Sequence, residues 1–223
     1  MTMRLLILAL LLGSLPSFAH AQEAIRNRSV RIIEPGAADA PETPAPAPTA
    51  PPNVPADIDP ASNPAGVRFE LLPGTDLSLG AKMAVRVSVQ KPGYLVLVDV
   101  DSAGKLTQIF PNTQSLASPQ GTAANANLIA PNKPRLIPDP QDKASFNFVA
   151  APPPGVGMVV AILSDKPVQM IDLPDVPKAL AGRTAAVEYV RESTTSLKIL
   201  PATDTERVQD PKWSFATKFY VIK

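Results

Sequence analysis

The sequence predicts a mostly β fold, an antiparallel β-sandwich with one or two short helices, and a partly open β-barrel is the alternative. Three observations lead to this prediction. Apolar and polar residues alternate with period two in several short runs, proline and glycine clusters separate these runs, and helical patterns are scarce. The folded domain is predicted to span residues 66–223, a length that buries about 68–70% of its unfolded surface.

The predicted strands follow from the spacing of their apolar residues. Within residues 82–90, every second position from Met83 to Val89 is apolar, which is typical of a strand with one buried and one solvated face. Residues 94–100 are apolar at successive positions, which predicts a central strand covered on both faces. The other predicted strands are residues 67–71, 146–148, 157–164 and 213–222.

Helix is predicted at two places late in the chain. Val176–Ala181 would end at Gly182, and Thr184–Glu192 would begin with Thr184 as its cap, with Glu188 facing Arg191 one turn on. The sequence predicts no role for residues 172–212 as a whole.

The N-terminus has the layout of a secretory signal peptide, predicted to cover residues 1–21. Arg4 precedes the apolar run Leu5–Leu12, and small residues at Ala19 and Ala21 predict cleavage before Gln22. The run is shorter than the roughly 20 apolar residues that span a bilayer. No cysteine follows to carry a lipid anchor, and no later run is apolar enough to span a membrane. A periplasmic or secreted location is therefore expected.

Residues 22–65 are predicted to form a disordered, proline- and alanine-rich linker. Ten prolines lie within residues 35–64, a composition that favours extended polyproline II over a packed core. The segment 24–33, AIRNRSVRII, is predicted to be a disordered mature N-terminus, and a strand or a docking peptide is the alternative.

Composition excludes several classes of function for the predicted mature chain. Its only histidine, His20, is removed with the signal, and there is no cysteine, so a Ser-His-Asp triad and a Cys-His pair are both impossible. Loss of Arg4 leaves 20 basic and 20 acidic residues, a balance that argues against nucleic-acid binding. We therefore expect no enzyme, no cofactor and no nucleic-acid partner.

The stretch DVDSAG, residues 99–104, begins like a calcium-binding loop. Asp99, Asp101 and Gly104 fall at loop positions 1, 3 and 6, but Ala103 replaces a ligand and Phe110 occupies the place of the closing glutamate. The interpretation as a hairpin fits better, with the Asp101 carboxylate accepting from backbone N–H groups and Gly104 at positive φ. No metal site is predicted.

Three segments resemble the bacterial domain-of-unknown-function family 4384, over about residues 66–171. They are GYLVLVDVDSAGKLTQIFPN (93–112), NLIAPNKPRLIP (127–138) and FNFVAAPPPGVGMVVAILSDKP (146–167). The resemblance implies an exported or envelope-associated module without an assigned activity, one that is elsewhere fused to caspase-like peptidase or kinase-like domains. No such domain is recognised in this sequence, so any action on a partner would be in trans.

The predicted function is a non-enzymatic interaction module on a flexible tether, docking to a cell-envelope protein. The alternative is a domain that binds cell-wall glycan or another polymer. The candidate partner-binding residues are Phe110, Pro111 and Asn112, which precede a long polar connection (113–127), and Trp213. A role in the core or in a turn is the alternative for Phe110 and Trp213.

Overall fold

The computed structural model describes residues 30–33, 62–117, 125–140, 146–198 and 210–223. Two β-sheets face each other, and a layer of irregular chain with one helix covers the outer face of the second sheet. The helices are α1 (Thr113–Leu116) and α2 (Thr184–Thr195). The strands are β1 (Val30–Ile33), β2 (Arg68–Leu72), β3 (Asp76–Leu77), β4 (Lys82–Ser88), β5 (Gly93–Val100), β6 (Leu106–Phe110), β7 (Leu128–Ile129), β8 (Arg135–Ile137), β9 (Asn147–Ala150), β10 (Gly155–Ser164) and β11 (Trp213–Ile222).

Sheet 1 has the strand order β1-β9-β4-β2, and β8 also pairs with β4. All of these pairings are antiparallel. In β4 buried and more exposed residues alternate, as period two predicts, and Val85 lies opposite Leu71 of β2 and Ile137 of β8. Sheet 1 therefore presents one apolar face to the core and one face to solvent.

Sheet 2 has the order β3-β11-β10-β5-β6, and β7 pairs with β5. Its centre is β10, which pairs antiparallel with β11 from Gly155↔Ile222 to Ser164↔Trp213. The sheet is mixed, because the short β3 runs parallel to β11. β5 is buried at nearly every position, which confirms a central strand covered on both faces.

The main core lies between the two sheets. Its fully buried members include Val85, Val87, Leu95, Leu97 and Phe148, each 0% exposed. Two facing sheets with a shared apolar interior confirm the predicted sandwich, and the described strands do not close into a barrel.

A second core lies on the outer face of sheet 2. Val96, Val98 and Ile162 point away from sheet 1 and pack beneath residues 168–197, which include α2. This layer explains why β5 and β10 are apolar on both faces. It also gives residues 172–197 a structural role that the sequence did not predict.

The two helix predictions have different outcomes. Thr184–Glu192 is confirmed within α2, but the cap position is Arg183, and Thr184 is the first helical residue. The Glu188–Arg191 ion pair forms at 2.6 Å. The prediction of a helix at Val176–Ala181 is wrong, because the Val176 N–H donates to the carbonyl of Gly104 across the fold and the following residues form short turns.

The first described strand lies inside the predicted linker 22–65. Residues 30–33 form β1 at the edge of sheet 1, with Val30 opposite Ala150, and Val30 is only 1% exposed. The predicted disorder is therefore wrong for residues 30–33, and the alternative, a strand, is correct, because Val30 adds its side chain to the core. The signal 1–21 and the rest of the linker up to residue 61 lie outside the described residues. In the described part of the chain, no helix is long and apolar enough to cross a membrane.

Candidate functional site

The DVDSAG stretch forms the hairpin corner between β5 and β6. The Asp101 carboxylate accepts hydrogen bonds from the N–H groups of Ala103 and Lys105, both at 2.8 Å, and the Gly104 N–H donates to the Asp101 carbonyl at 3.0 Å. Gly104 has φ of 90°, a conformation that glycine adopts at little cost. The structure confirms the predicted hairpin, with the Asp101 carboxylate as the hydrogen-bond acceptor and Gly104 at positive φ.

The environment of Asp101 raises the pKa of its carboxyl above the ordinary value of 3.8. Burial is the main cause and the negative charge of Asp175 adds to it, whereas hydrogen bonds from the backbone N–H groups of Lys105, Ala103 and Gly104 oppose it. Asp175 also holds the hairpin against the covering layer, because its carboxylate accepts from the Leu106 N–H at 2.9 Å. The carboxylate of Asp101 thus serves the turn.

Asp99 is used inside the core. Its carboxylate accepts a hydrogen bond from the Tyr220 hydroxyl at 2.6 Å, and both residues are 1% exposed. Within the described ranges, no three His, Cys, Asp or Glu side chains are grouped so that they could hold a metal ion. Asp99 and Asp101 therefore contribute hydrogen bonds that hold the fold together.

The four predicted partner-binding residues lie in or beside the core. Phe110 and Pro111 are buried and joined by a cis peptide bond, and Trp213 is 8% exposed beneath the layer over sheet 2. Asn112 is half-buried and caps α1, accepting from the Ser115 N–H at 2.8 Å. Their contact with a partner stays a prediction, and in this structure they do not form one surface.

A different surface has the shape of a binding site. Two open hollows, of about 540 and 530 Å³, lie on either side of β8 and share Leu136, Asp139 and Pro140. We call their combined lining the β8 surface. The first hollow is also lined by Leu128, Ile129, Ala130, Lys133, Pro134 and Arg135, and the second by Leu72, Pro73, Lys82, Met83, Ala84, Pro138, Phe146 and Asn147.

The short length of β8 creates this surface. Ile137 is buried and anchors the strand to β4, but β8 covers only Val85–Val87 of its neighbour. The wall beyond β8 is completed by cis-bonded prolines, Pro138 after Ile137 and Pro73 after Leu72. Apolar side chains such as half-buried Leu136 and 41%-exposed Leu128 are left facing the hollows.

The charge of the β8 surface is mainly positive. Lys82 and Lys133 are exposed at the two hollows, and Asp139 is the acidic side chain among the described lining residues. Arg135 is held in place, because its guanidinium donates to the Ala126 carbonyl at 2.8 Å and lies 5.3 Å from the centre of the Phe110 ring. Phe110 therefore supports the surface from below.

The sequence contained a partial signal for this surface. NLIAPNKPRLIP, residues 127–138, combines prolines, two cations and aliphatic residues in one short run. The run does not predict that Leu72, Lys82 and Phe146 lie beside it, since these contacts depend on long-range strand pairing.

No curated protein matches the sequence. Two solved structures show weak similarity. The chain is 15% identical to native alpha-2-macroglobulin from Escherichia coli, spanning domain MG7 to the C-terminus, with 73% of this chain and 17% of that chain covered and a TM-score of 0.31. It is 5% identical to a chain of the human seminal-plasma complex of Zinc 2-glycoprotein and Prolactin inducible protein, with 71% and 94% covered and a TM-score of 0.26. At these TM-scores neither similarity supports an argument about this chain.

A family model matches the central part of the sandwich sequence. Residues 76–167 match the family model described as Domain of unknown function (DUF4384), a span that runs from β3 to just beyond β10 and includes the DVDSAG hairpin and most of the β8 surface. The match is narrower than the predicted span of about 66–171. Residues 76–167 thus match the domain-of-unknown-function family that the sequence resembles, which confirms the predicted resemblance.

Proposed function

We propose that this chain is an exported, non-enzymatic interaction module that docks on a protein of the cell envelope through its β8 surface. The observation that carries the proposal is the pair of adjoining hollows beside β8. Binding sites are typically concave and mostly apolar with a few placed polar groups, and the β8 surface has this composition.

The β8 surface suits an extended, acidic, proline-containing segment of a partner. Its two hollows adjoin each other, since both are lined by Leu136, Asp139 and Pro140, and two adjoining hollows favour an extended chain over a compact ligand. Its prolines and aliphatic side chains offer an apolar contact surface for such a segment. Lys82 and Lys133 at the rim favour negative charge on that segment.

The absence of enzymatic activity is part of the proposal. Removal of the predicted signal leaves no histidine and no cysteine, and the two aspartates that most resembled a site are engaged by Tyr220 and by the hairpin backbone. Export rests on the signal layout of residues 1–21, and the proline-rich stretch supplies the tether.

The glycan-binding alternative is not favoured by a specific observation. Such sites present exposed aromatic rings, but every Phe, Tyr and Trp within the described ranges is buried or half-buried. These buried rings favour protein docking over glycan binding.

The test is a binding measurement with a defined acidic peptide. We expect a fluorescein-labelled (Ala-Glu-Pro-Pro)3 peptide to bind the chain, measured by fluorescence anisotropy, and the lysine peptide (Ala-Lys-Pro-Pro)3 to bind far more weakly. Reversing both rim charges with Lys82→Glu and Lys133→Glu should weaken binding of the acidic peptide roughly tenfold, since each rim charge contributes up to about 1 kcal/mol.

The matched control reverses two exposed lysines that lie outside the β8 surface, Lys178 and Lys218. The Lys178→Glu/Lys218→Glu variant has the same net charge as the rim variant and should bind the acidic peptide within about twofold of the unmodified chain. An equal loss of affinity in both variants would show that overall charge, and not the position of Lys82 and Lys133, determines binding. No binding of the acidic peptide to the unmodified chain would refute the proposed chemistry of the partner.

A further inference from the structure

β1 is attached to the sandwich in an unusual way. Residues 34–61 separate it from the next described residue, whereas most connections within a domain have about 4–6 residues. Among the described strands β1 pairs with β9 alone, and it lies outside the family match of residues 76–167, while β9 lies inside it. The edge of the family domain is therefore β9, and β1 is a strand added to that edge.

β1 supplies side chains to the core. Val30 is 1% exposed within the intersheet cluster, and Ile32 packs against the same cluster. They lie opposite Ala150 and Phe148, which face the core from β9. Two aliphatic side chains, two residues apart, therefore fill one end of the main core.

β1 also pairs with the free side of the β9 backbone. Ala150 donates its N–H to the Ala81 carbonyl at 2.9 Å, and its carbonyl accepts from the Gly80 N–H at 2.8 Å, both on the side away from β1. Backbone groups of successive residues in a strand point to opposite sides, so those of Val149 and Asn147 face β1. Removing β1 would leave these groups and the neighbouring core open, and an open edge of this kind readily pairs with another strand.

We propose that the β9 edge is a strand-binding site, which β1 fills within the chain and which an extended segment of a partner protein fills when β1 leaves. The partner segment repeats the pattern of β1, with aliphatic, preferably β-branched, residues at the two positions of Val30 and Ile32. Backbone hydrogen bonds give such strand addition its affinity, and alternate side chains give it specificity. This site adjoins the β8 surface at Asn147, but it is defined by the pairing of β1 with β9 and does not depend on the function proposed for the β8 surface.

The covalent attachment of β1 determines the competition between the two occupants. Because β1 belongs to the same chain as β9, its effective concentration at the edge is on the order of millimolar, so β1 outcompetes a dilute peptide of equal affinity. A free peptide with the β1 sequence should therefore bind poorly to the unmodified chain and well to a chain whose own β1 cannot pair.

The experiment uses a fluorescein-labelled peptide of residues 27–36, NRSVRIIEPG, and the full chain. In one variant, Val30→Asp/Ile32→Asp, the two core positions of β1 become charged, so its own strand is excluded from the edge. In the other, Ile33→Cys/Asn147→Cys, a disulfide closes β1 onto β9, since directly opposed residues in antiparallel strands have Cα separations of about 4.5–5.5 Å. The chain has no other cysteine, so the product is unambiguous.

We expect the aspartate variant to bind the peptide at least tenfold more tightly than the unmodified chain does. The oxidised cysteine variant should not bind it, and reduction should restore the binding of the unmodified chain. A peptide carrying aspartate at the positions of Val30 and Ile32 should bind none of them, and the Lys82→Glu/Lys133→Glu change should leave the affinity of the strand peptide within about twofold.

Equal peptide binding by all three proteins, or by none, would overturn the proposal. If the aspartate variant does not fold, the reduced and oxidised cysteine variant still decide the question at high peptide concentration. A disulfide that links two chains instead of closing within one would also overturn the proposal, because it would assign the edge to β1 of a second copy.

Discussion

The Tyr220 hydroxyl donates a 2.6 Å hydrogen bond to the Asp99 carboxylate, and both side chains are buried. The two residues belong to β11 and β5, which lie on opposite sides of β10. Tyr220 lies opposite Gly157 of β10, and Asp99 lies opposite Val159. The hydrogen bond therefore crosses the central strand of sheet 2 and joins the first third of the domain to its last strand.

Replacing Tyr220 with Phe should lower the free energy of unfolding by about 1–3 kcal/mol, because a buried carboxylate loses a hydrogen bond while the packed ring remains. Urea unfolding monitored by circular dichroism measures the change. The control is Tyr94→Phe, whose hydroxyl makes only an exposed 3.5 Å contact with Asn125 and should change stability by less than about 0.5 kcal/mol. Equal effects of the two variants would contradict the importance of the Asp99 hydrogen bond.

Gly157 leaves the space that Tyr220 needs to cross β10. A Cβ atom at position 157 would fall on the hydroxyl end of the Tyr220 ring. Gly157→Ala should therefore destabilise the fold by about 1–3 kcal/mol, as overpacking of a core does. Gly74→Ala is the matched control, since nothing lies within 4 Å of the added atom there. Its free energy of unfolding should stay within about 0.5 kcal/mol of that of the unmodified chain or rise slightly. A neutral Gly157→Ala variant would show that the ring has room to move.

Asp101 should make stability depend on pH with a defined sign. Burial raises the pKa of its carboxyl in the folded chain, so the folded state keeps the proton to higher pH than the unfolded state does. Its contribution to stability is complete below the ordinary pKa of 3.8 and is lost as pH rises through the raised pKa. Asp101→Asn keeps an oxygen acceptor for Ala103 and Lys105 but has no proton to lose.

The stability of Asp101→Asn relative to the unmodified chain should therefore increase as pH rises from below 3.8 through the raised pKa. Urea unfolding curves of both proteins from about pH 3 to about pH 7 measure this difference. A difference that stays constant with pH, or that decreases, would contradict the assigned environment of Asp101.

The proposed export predicts a defined mature terminus. Chain recovered from the periplasm or the medium should begin at Gln22, read by N-terminal sequencing, because Ala19 and Ala21 fit the small-residue cleavage pattern. Leu8→Arg places a charge in the middle of the apolar run and should retain the uncleaved chain in the cytoplasm. Leu8→Ala is the control, since it keeps the run apolar and should still be cleaved. Cleaved chain from Leu8→Arg would argue against this signal.

Strands with strong periodicity were predictable because burial of one face imposes it. β4 was recognised in this way, whereas β5 was recognised as a continuous apolar run that is covered on both faces. The DVDSAG hairpin followed from the residue requirements of its turn. Strands β3, β7 and β8 have only two or three residues, too few to carry a period, and their existence depends on neighbours supplied by distant parts of the chain.

The surfaces were less predictable than the strands. Phe110 was a candidate for partner binding because it precedes a long polar connection, and Trp213 because aromatic residues suit interfaces, but the two cores bury both. The β8 surface brings together residues from four separate stretches around positions 72, 82, 136 and 146, and the β9 edge is filled by residues 30–33, which lie inside the predicted linker. Both depend on strand register, which local sequence patterns do not determine.

The most direct test of the central claim is photo-crosslinking from two exposed aliphatic positions. Leu128 lies on the β8 surface and is 41% exposed, whereas Met170 lies in the layer over sheet 2 and is 80% exposed. With a photoreactive residue at position 128, we predict a discrete protein adduct in intact cells that disappears in the Lys82→Glu/Lys133→Glu variant. The same residue at position 170 should give none. Identical adducts from both positions, or none from position 128, would contradict docking through the β8 surface.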